Sequence, residues 1–388
     1  MNRKFALTII LVAILAISIV VVLTTKTPIN VSAVENVKIG AYYYIWWGIP
    51  FNNHWDHGVK YTPFLGKYNS SDPLIADRHI LLAKQHKIDF FTVSWIGKGD
   101  WIPPWDFDDI DQNLQSGFLQ APRLPSFSFC LFYETKLVLD TANQAHKNFT
   151  EIFINDMVYA SQQYFNHSSY LRVDGKPVLF IYDLPYLYEN LSTPQAQTLF
   201  DTLRQQLVGL HVNVYLVGDV GNQYYPPYLY SMDAVTSYFF SDVSKGWQQI
   251  LEDANHYYPI WRSDMNSRGI KFIPDAYPGF DNTEHCKWEN RSSEAKTLPL
   301  DEIKFKEMLT TAINYSDNSL KTVMITSWNE WMESTTIEPS MEFGELFLHT
   351  IYDVIPEFLS FLILPLFIIA TLMAAIVYGK KKFKILMK

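Results

Sequence analysis

The chain has 388 residues, of which 48% are hydrophobic and 18% charged. That supplies a sizeable core and rules out disorder as the main state, which needs low hydrophobicity and high charge. The net charge is −9, and residues 34–355 taken alone carry −16, a body that repels polyanions and argues against nucleic acid as a partner.

The chain opens with Arg3-Lys4 and an unbroken apolar run at 5–23, FALTIILVAILAISIVVVL. This reads as a signal sequence, with small residues for cleavage at Val31-Ser32-Ala33, or as an uncleaved anchor. Residues 1–33 are set apart on that ground.

The body, 34–355, alternates strand and helix. Runs rich in β-branched and aromatic residues fall at 37–46, 88–96, 126–134, 176–183, 212–219, 233–240, 270–277 and 322–328. They are nearly continuous apolar runs, as strands buried on both faces should be. Asp72-Pro73 opens a helix that runs to about His86. A weaker helical pattern spans 107–119, and one long helix is expected over 141–165. Thr193-Pro194 opens another to about Val208. Further helices are expected at 244–256 and 300–315, while 222–232 is irregular. Eight strand-then-helix units fit a (β/α)8 TIM barrel in a single domain. A doubly wound sheet is the rival, but no Gly-rich phosphate turn follows the first strand.

After the body, residues 358–378 hold 21 uncharged residues, followed by Lys380-Lys381-Lys382-Phe383-Lys384. About 20 apolar residues span a bilayer as helix, so 356–379 reads as a transmembrane helix and 380–388 as a basic cytoplasmic tail. The body then faces the cell exterior or a secretory lumen. Seven N-x-Ser/Thr triplets, at Asn30, Asn69, Asn148, Asn166, Asn190, Asn290 and Asn314, fit that side. The two cysteines, Cys130 and Cys286, form at most one bridge, and Cys130 reads as a buried thiol.

A barrel keeps its chemistry at the C-terminal ends of its strands. There the sequence places Tyr133-Glu134, Tyr182-Asp183, Asp219 and the segment Trp328-Asn329-Glu330-Trp331-Met332-Glu333. Carboxylates beside aromatic rings point to carbohydrate, because rings stack on sugar CH groups and carboxylates bind hydroxyls or move protons. Trp46, Trp47, Trp95, Trp328 and Trp331 cluster at the same ends. Glu330 and Glu333 form the pair of carboxylates that glycoside hydrolysis uses. His54-x-x-His57 suits no standard zinc motif, and the acidic loop Asp106, Asp108, Asp109, Asp111 lacks the Gly of a calcium loop. No metal or cofactor is expected.

The segment Asn329–Glu338, NEWMESTTIE, resembles the N-E-W-H-E-G-T-Q-I-E signature of the endo-α-mannosidase-like glycoside hydrolases, family 99. So, in order, do Tyr42-Tyr43-Tyr44-Ile45-Trp46-Trp47-Gly48, His54-Trp55-Asp56-His57, Leu65-Gly66-Lys67-Tyr68 with Ser71-Asp72-Pro73, residues 177–183 and Pro278–Thr283. The resemblance covers roughly 37–340. It implies a retaining, endo-acting α-mannosidase on a (β/α)8 barrel without a metal, working through the sugar's 2-hydroxyl. Glu330 would be the base toward that hydroxyl, and Glu333 the acid and then the base. Tyr44, Tyr238, His54 and His57 match residues around the reacting sugar. Trp46, Trp95, Glu134, Asp183, Asn329 and Trp331 complete the expected substrate-binding set. Met332, Ser334 and Thr336 depart from the His, Gly and Gln of the signature, which leaves a different α-linked glycan open. The other alternative is a surface glycan-binding protein that has kept the barrel and lost catalysis.

Overall fold

The computed structural model describes residues 37–48, 53–101, 108–221, 229 and 231–355, with the side chains of 108 and 109 left aside. The expected N-terminal signal or anchor, the C-terminal transmembrane helix and tail, Asp106 and most of 222–232 lie outside the described residues. Among the described residues no helix is long and apolar enough to cross a membrane.

Eight parallel strands occupy the eight apolar runs. They are β1 (Lys38–Tyr43), β2 (Phe90–Trp95), β3 (Ser128–Tyr133), β4 (Lys176–Ile181), β5 (Tyr215–Asp219), β6 (Ala234–Thr236), β7 (Lys271–Ile273, resuming at Asp275–Ala276) and β8 (Thr322–Ile325). Neighbours pair in chain order, and β8 pairs with β1 through Lys38↔Thr322 to Ala41↔Ile325. Strand β7 closes the ring in two halves. Its first half pairs with β6 (Val235↔Phe272) and its second with β8 (Met324↔Asp275). Pro274 stands at the break, lacking an N–H for the ladder, and its carbonyl accepts from Met324 N–H at 3.0 Å.

The barrel floor is apolar and tightly closed. A Cβ on Gly40 would sit 2.3 Å from the Phe90 ring and 2.7 Å from Met324 Sδ, so only glycine lets these side chains meet across the axis. Above them Tyr42 packs on Phe132, Phe180 and Tyr238. Cys130 lies in the same interior, 3.5 Å from Thr92 Oγ1, and burial pushes its thiol up to about 12. Both cysteines are free and buried.

Outside the ring lie α1 (Pro73–Gln85), α2 (Asp108–Ser116), α3 (Thr135–Gln144), α4 (Phe149–Gln163), α5 (Leu184–Asn190), α6 (Thr193–Gly209), α7 (Gly246–Ser267), α8 (Thr283–Trp288), α9 (Glu302–Tyr315) and α10 (Leu346–Val354). The single helix expected over 141–165 is two. His146 takes a positive φ of 54°, which ends α3. Asn148 then caps α4 by accepting from the N–H groups of Thr150 and Glu151. The helix expected over 244–256 instead continues through Pro259 to Ser267.

Candidate active site

The loop after β8 is held from below before it offers any chemistry. Asn329 is fully buried; its Oδ1 accepts from Tyr44 N–H at 2.7 Å and its Nδ2 donates to Tyr44 O at 2.8 Å. This double bond to one backbone unit fixes Tyr44 at the end of β1. Glu338 accepts from Tyr68 Oη at 2.7 Å and Trp331 Nε1 at 3.1 Å, and pairs with His79 Nε2 at 3.0 Å. His79 Nδ1 in turn meets Tyr43 Oη at 2.9 Å. The loop thereby rests on α1 through polar groups that are all buried and all partnered.

The three departures from the signature have local explanations. Ser334, where the signature has Gly, lies at φ 55°, the left-handed region that favours glycine. Its hydroxyl offsets the cost by donating to Asp281 O at 2.8 Å. Met332 contacts Glu330 through its backbone, N–H to Oε1 at 3.0 Å, so the bond survives loss of the signature histidine. Thr336 Oγ1 donates to Trp328 O at 2.7 Å and accepts from Glu338 N–H.

On this support Glu330 and Glu333 sit at the barrel mouth. Burial raises both carboxyls, and the charge of Glu333 raises Glu330 further. Glu333 is pushed to about 7. Glu330 accepts backbone N–H bonds and Glu333 a bond from Tyr238, each favouring the ionised form, yet burial lifts Glu330 well above the carboxylate range; Glu333 Oε2 is buried with no hydrogen-bond partner. Tyr44 and Tyr238 share a 2.6 Å hydroxyl–hydroxyl bond beside the pair, and both feel the charges of Glu330 and Glu333. Glu134, also at about 7 through burial, takes the Ser94 hydroxyl at 2.7 Å and feels Glu333.

A line of rings runs outward from Tyr44. Trp46 lies 4.5 Å from Tyr44 and 5.1 Å from His54, His54 lies 4.8 Å from His57, and His57 stacks at 4.0 Å on the exposed Trp288. Burial, then His57 and His285, lowers His54 to about 3, so it is neutral in the physiological range. These rings give a wall on which a sugar chain can stack.

Like Asn329, which is spent on holding Tyr44, three further expected binders do other work. Trp95 points outward from the barrel: it donates to Asp111 at 2.8 Å and packs on Tyr159 and Tyr164, while Ser94 takes the inward position. Asp183 caps α5 by accepting from Tyr186 N–H and faces Lys136, Glu189 and Asp140. Its neighbour Tyr182 takes the inward place, with its ring 5.8 Å from Tyr238 and its hydroxyl under the charges of Asp219, Glu333 and Glu134. Trp331 is fully buried among Trp47, Trp55 and Tyr68, so it supports the loop from behind. Strand alternation is the signal that assigns Ser94 and Tyr182: each lies an even step from an inward residue, Thr92 or Phe180. Asp219, pushed to about 6 by burial, joins three strand ends by accepting from Asp183, Gly221 and Tyr238 N–H groups.

These raised carboxyls make stability depend on pH. Unfolded, they release protons near pH 4, about their ordinary value. Folded, Glu134, Asp156 and Glu333 hold theirs to about 7 and Asp219 to about 6. Between those values the fold binds more protons than the unfolded chain, so stability falls as pH rises. The urea midpoint should be lower at pH 8 than at pH 5; a midpoint that climbs over that interval contradicts the burial of these groups.

The chain matches the family model described as Glycosyltransferase WbsX over residues 135–351, more than half its length. The chain belongs to this family. Members of other groups are also similar to it along most of the body. The glycoprotein endo-alpha-1,2-mannosidase of Rattus norvegicus is 22% identical over 349 residues, covering 79% of this chain and 68% of the rat protein. The glycoprotein endo-alpha-1,2-mannosidase-like protein of Homo sapiens is 23% identical, covering 78% and 68%. Among solved structures, a glycoside hydrolase-like protein superposes with a TM-score of 0.63 at 18% identity, covering 83% of this chain and 95% of its own. The family 99 endo-alpha-mannosidase of Bacteroides thetaiotaomicron superposes with a TM-score of 0.58 at 20% identity, covering 82% and 95%. The resemblance drawn from the motifs is borne out, and with it the reading of this WbsX-family chain as an enzyme of glycoside hydrolase type.

Proposed function

We propose that this WbsX-family chain is a retaining, endo-acting glycosidase that cleaves α-mannosidic bonds in glycans. The observation that carries this reading is the buried pair Glu330 and Glu333, the first lying in the field of the second, beside the Tyr44–Tyr238 hydroxyl pair. Two neighbouring acids cannot both ionise cheaply, so the pair enters neutral pH holding one proton. The roles follow the order of the signature, Glu330 as base and Glu333 as acid; backbone N–H groups bond to Glu330 and Tyr238 bonds to Glu333, whose Oε2 has no hydrogen-bond partner.

In the first step Glu330 takes the proton from the sugar's 2-hydroxyl, whose oxygen closes on the anomeric carbon. Glu333 protonates the departing glycosidic oxygen as that bond breaks. In the second step Glu333 takes a proton from water, water opens the three-membered ring at the anomeric carbon, and Glu330 returns its proton to the 2-oxygen. Two inversions give net retention. Tyr44, Tyr182, Tyr238 and Glu134 line the sugar, and the Trp46–His54–His57–Trp288 wall extends the contact to further residues of the glycan.

The family's description names a transferase, whereas the relatives are named as hydrolases. The same pair serves either outcome, because the second step accepts water or a sugar hydroxyl. Apolar residues 5–23 and 358–378 support a membrane-attached enzyme whose body faces away from the cytoplasm.

The test is product analysis. The purified full chain, incubated with α-mannan or N-glycan oligosaccharides, should release a disaccharide or larger, seen by mass spectrometry. Free mannose alone contradicts endo action. Binding of the glycan by folded protein without cleavage favours the non-catalytic alternative, and products longer than the substrate favour transfer.

A further inference from the structure

We propose that His86, Glu345 and His349 form a site for a divalent transition-metal ion, Zn2+, which fastens α10 to α1. His86 follows α1 and is buried, and its Nδ1 lies 2.9 Å from Leu82 O. A carbonyl only accepts, so Nδ1 carries the hydrogen and the lone pair is left on Nε2. This is how a metal-binding histidine is usually set, with its far nitrogen donating to the backbone. The Nε2 atom faces Glu345 Oε2 at 3.6 Å. His349 stands four residues on, on the same face of α10, with its Nε2 3.9 Å from that same oxygen. The three ligand atoms all lie within 4.8 Å of one another.

A tetrahedral zinc ion with bonds of about 2.0–2.1 Å needs its ligand atoms roughly 3.3 Å apart. The contraction falls on the two side chains free to move. Glu345 is 42% and His349 67% exposed, against 8% for His86, which stays put as the anchor. Two imidazoles and one carboxylate with an open fourth position for water make a known zinc ligand set. The nearby cation, Lys87, is committed elsewhere: it donates to Ile355 O and lies 3.9 Å from the centre of the Tyr352 ring. These contacts and the proposed ion share one task, holding the last described helix against the barrel. The site lies at the end of α1 that leads into β2, about one strand's length, roughly 20 Å, from the carboxylate mouth. It is therefore separate from the proposed catalysis. No local motif announces it, since His86 is far in sequence from Glu345 and His349.

The experiment uses the full chain stripped with a chelator and dialysed against Zn2+. Wild type should bind one equivalent that His349→Ala and Glu345→Gln each weaken by about tenfold or more. Cobalt(II) in its place should give visible absorption bands in wild type that fade in both variants. His349 is exposed, so its replacement leaves the fold intact, and circular dichroism checks this. Glycan cleavage should be the same with and without chelator. Absence of zinc binding by wild type, or equal binding by wild type and both variants, overturns the proposal.

Discussion

Glu333→Gln should lower kcat/KM on an α-mannan oligosaccharide by about 10³-fold or more, within the usual reach of a general acid and base. The amide cannot deliver a proton to the leaving oxygen or take one from water. The loss should depend on the leaving group. With an activated aryl mannoside, whose phenolate departs without a proton, the first step should recover much of its rate. Water activation then limits, so a burst of phenol should precede slow turnover. Glu330→Gln should show no such recovery, because its carboxylate would act on the sugar ring and not on the leaving group. Equal losses for both variants on both substrates would contradict the division of roles between Glu330 and Glu333.

Glu338→Ala should be the most damaging change outside the carboxylate pair. The substitution strips partners from His79, Tyr68 and Trp331, all of which are buried. Breaking a buried polar network from one side costs about 3–5 kcal/mol, since the remaining groups lose both water and partner. Urea unfolding should show that loss as a lower midpoint with an unchanged slope. Glu338→Gln should cost less, because the amide oxygen still accepts, but its NH2 faces donors. If Glu338→Ala unfolds like wild type, the loop after β8 is held by something other than this network.

The sequence made the barrel legible because each strand is buried on both faces and so reads as an apolar run against polar surroundings. What one sequence hid was parity at the strand ends. Trp95 and Asp183 looked like mouth residues, yet one step of alternation hands the inward place to Ser94 and Tyr182. A large aromatic or a carboxylate draws the eye more than a serine, but the pleat decides direction. The run 270–277 was read as one strand; its split at Pro274 follows only from its pairing with both neighbours. The break between α3 and α4 rests on a left-handed histidine, a conformation that local sequence barely marks. Glu330 and Glu333 were legible because they sit in one short segment. The His79–Glu338 pair and the cluster of His86, Glu345 and His349 were not, because each joins residues more than 250 positions apart.

On the proposed mechanism, Glu330 and Glu333 cleave an α-mannoside in two inverting steps through the sugar's own 2-hydroxyl. The most direct measurement is the anomeric configuration of the first product, followed by proton NMR from the earliest minutes, before mutarotation. With two inversions, the newly released reducing end appears first as the α-anomer and drifts to equilibrium. A first product in the β configuration would mean a single displacement by water and would rule out the two-step route.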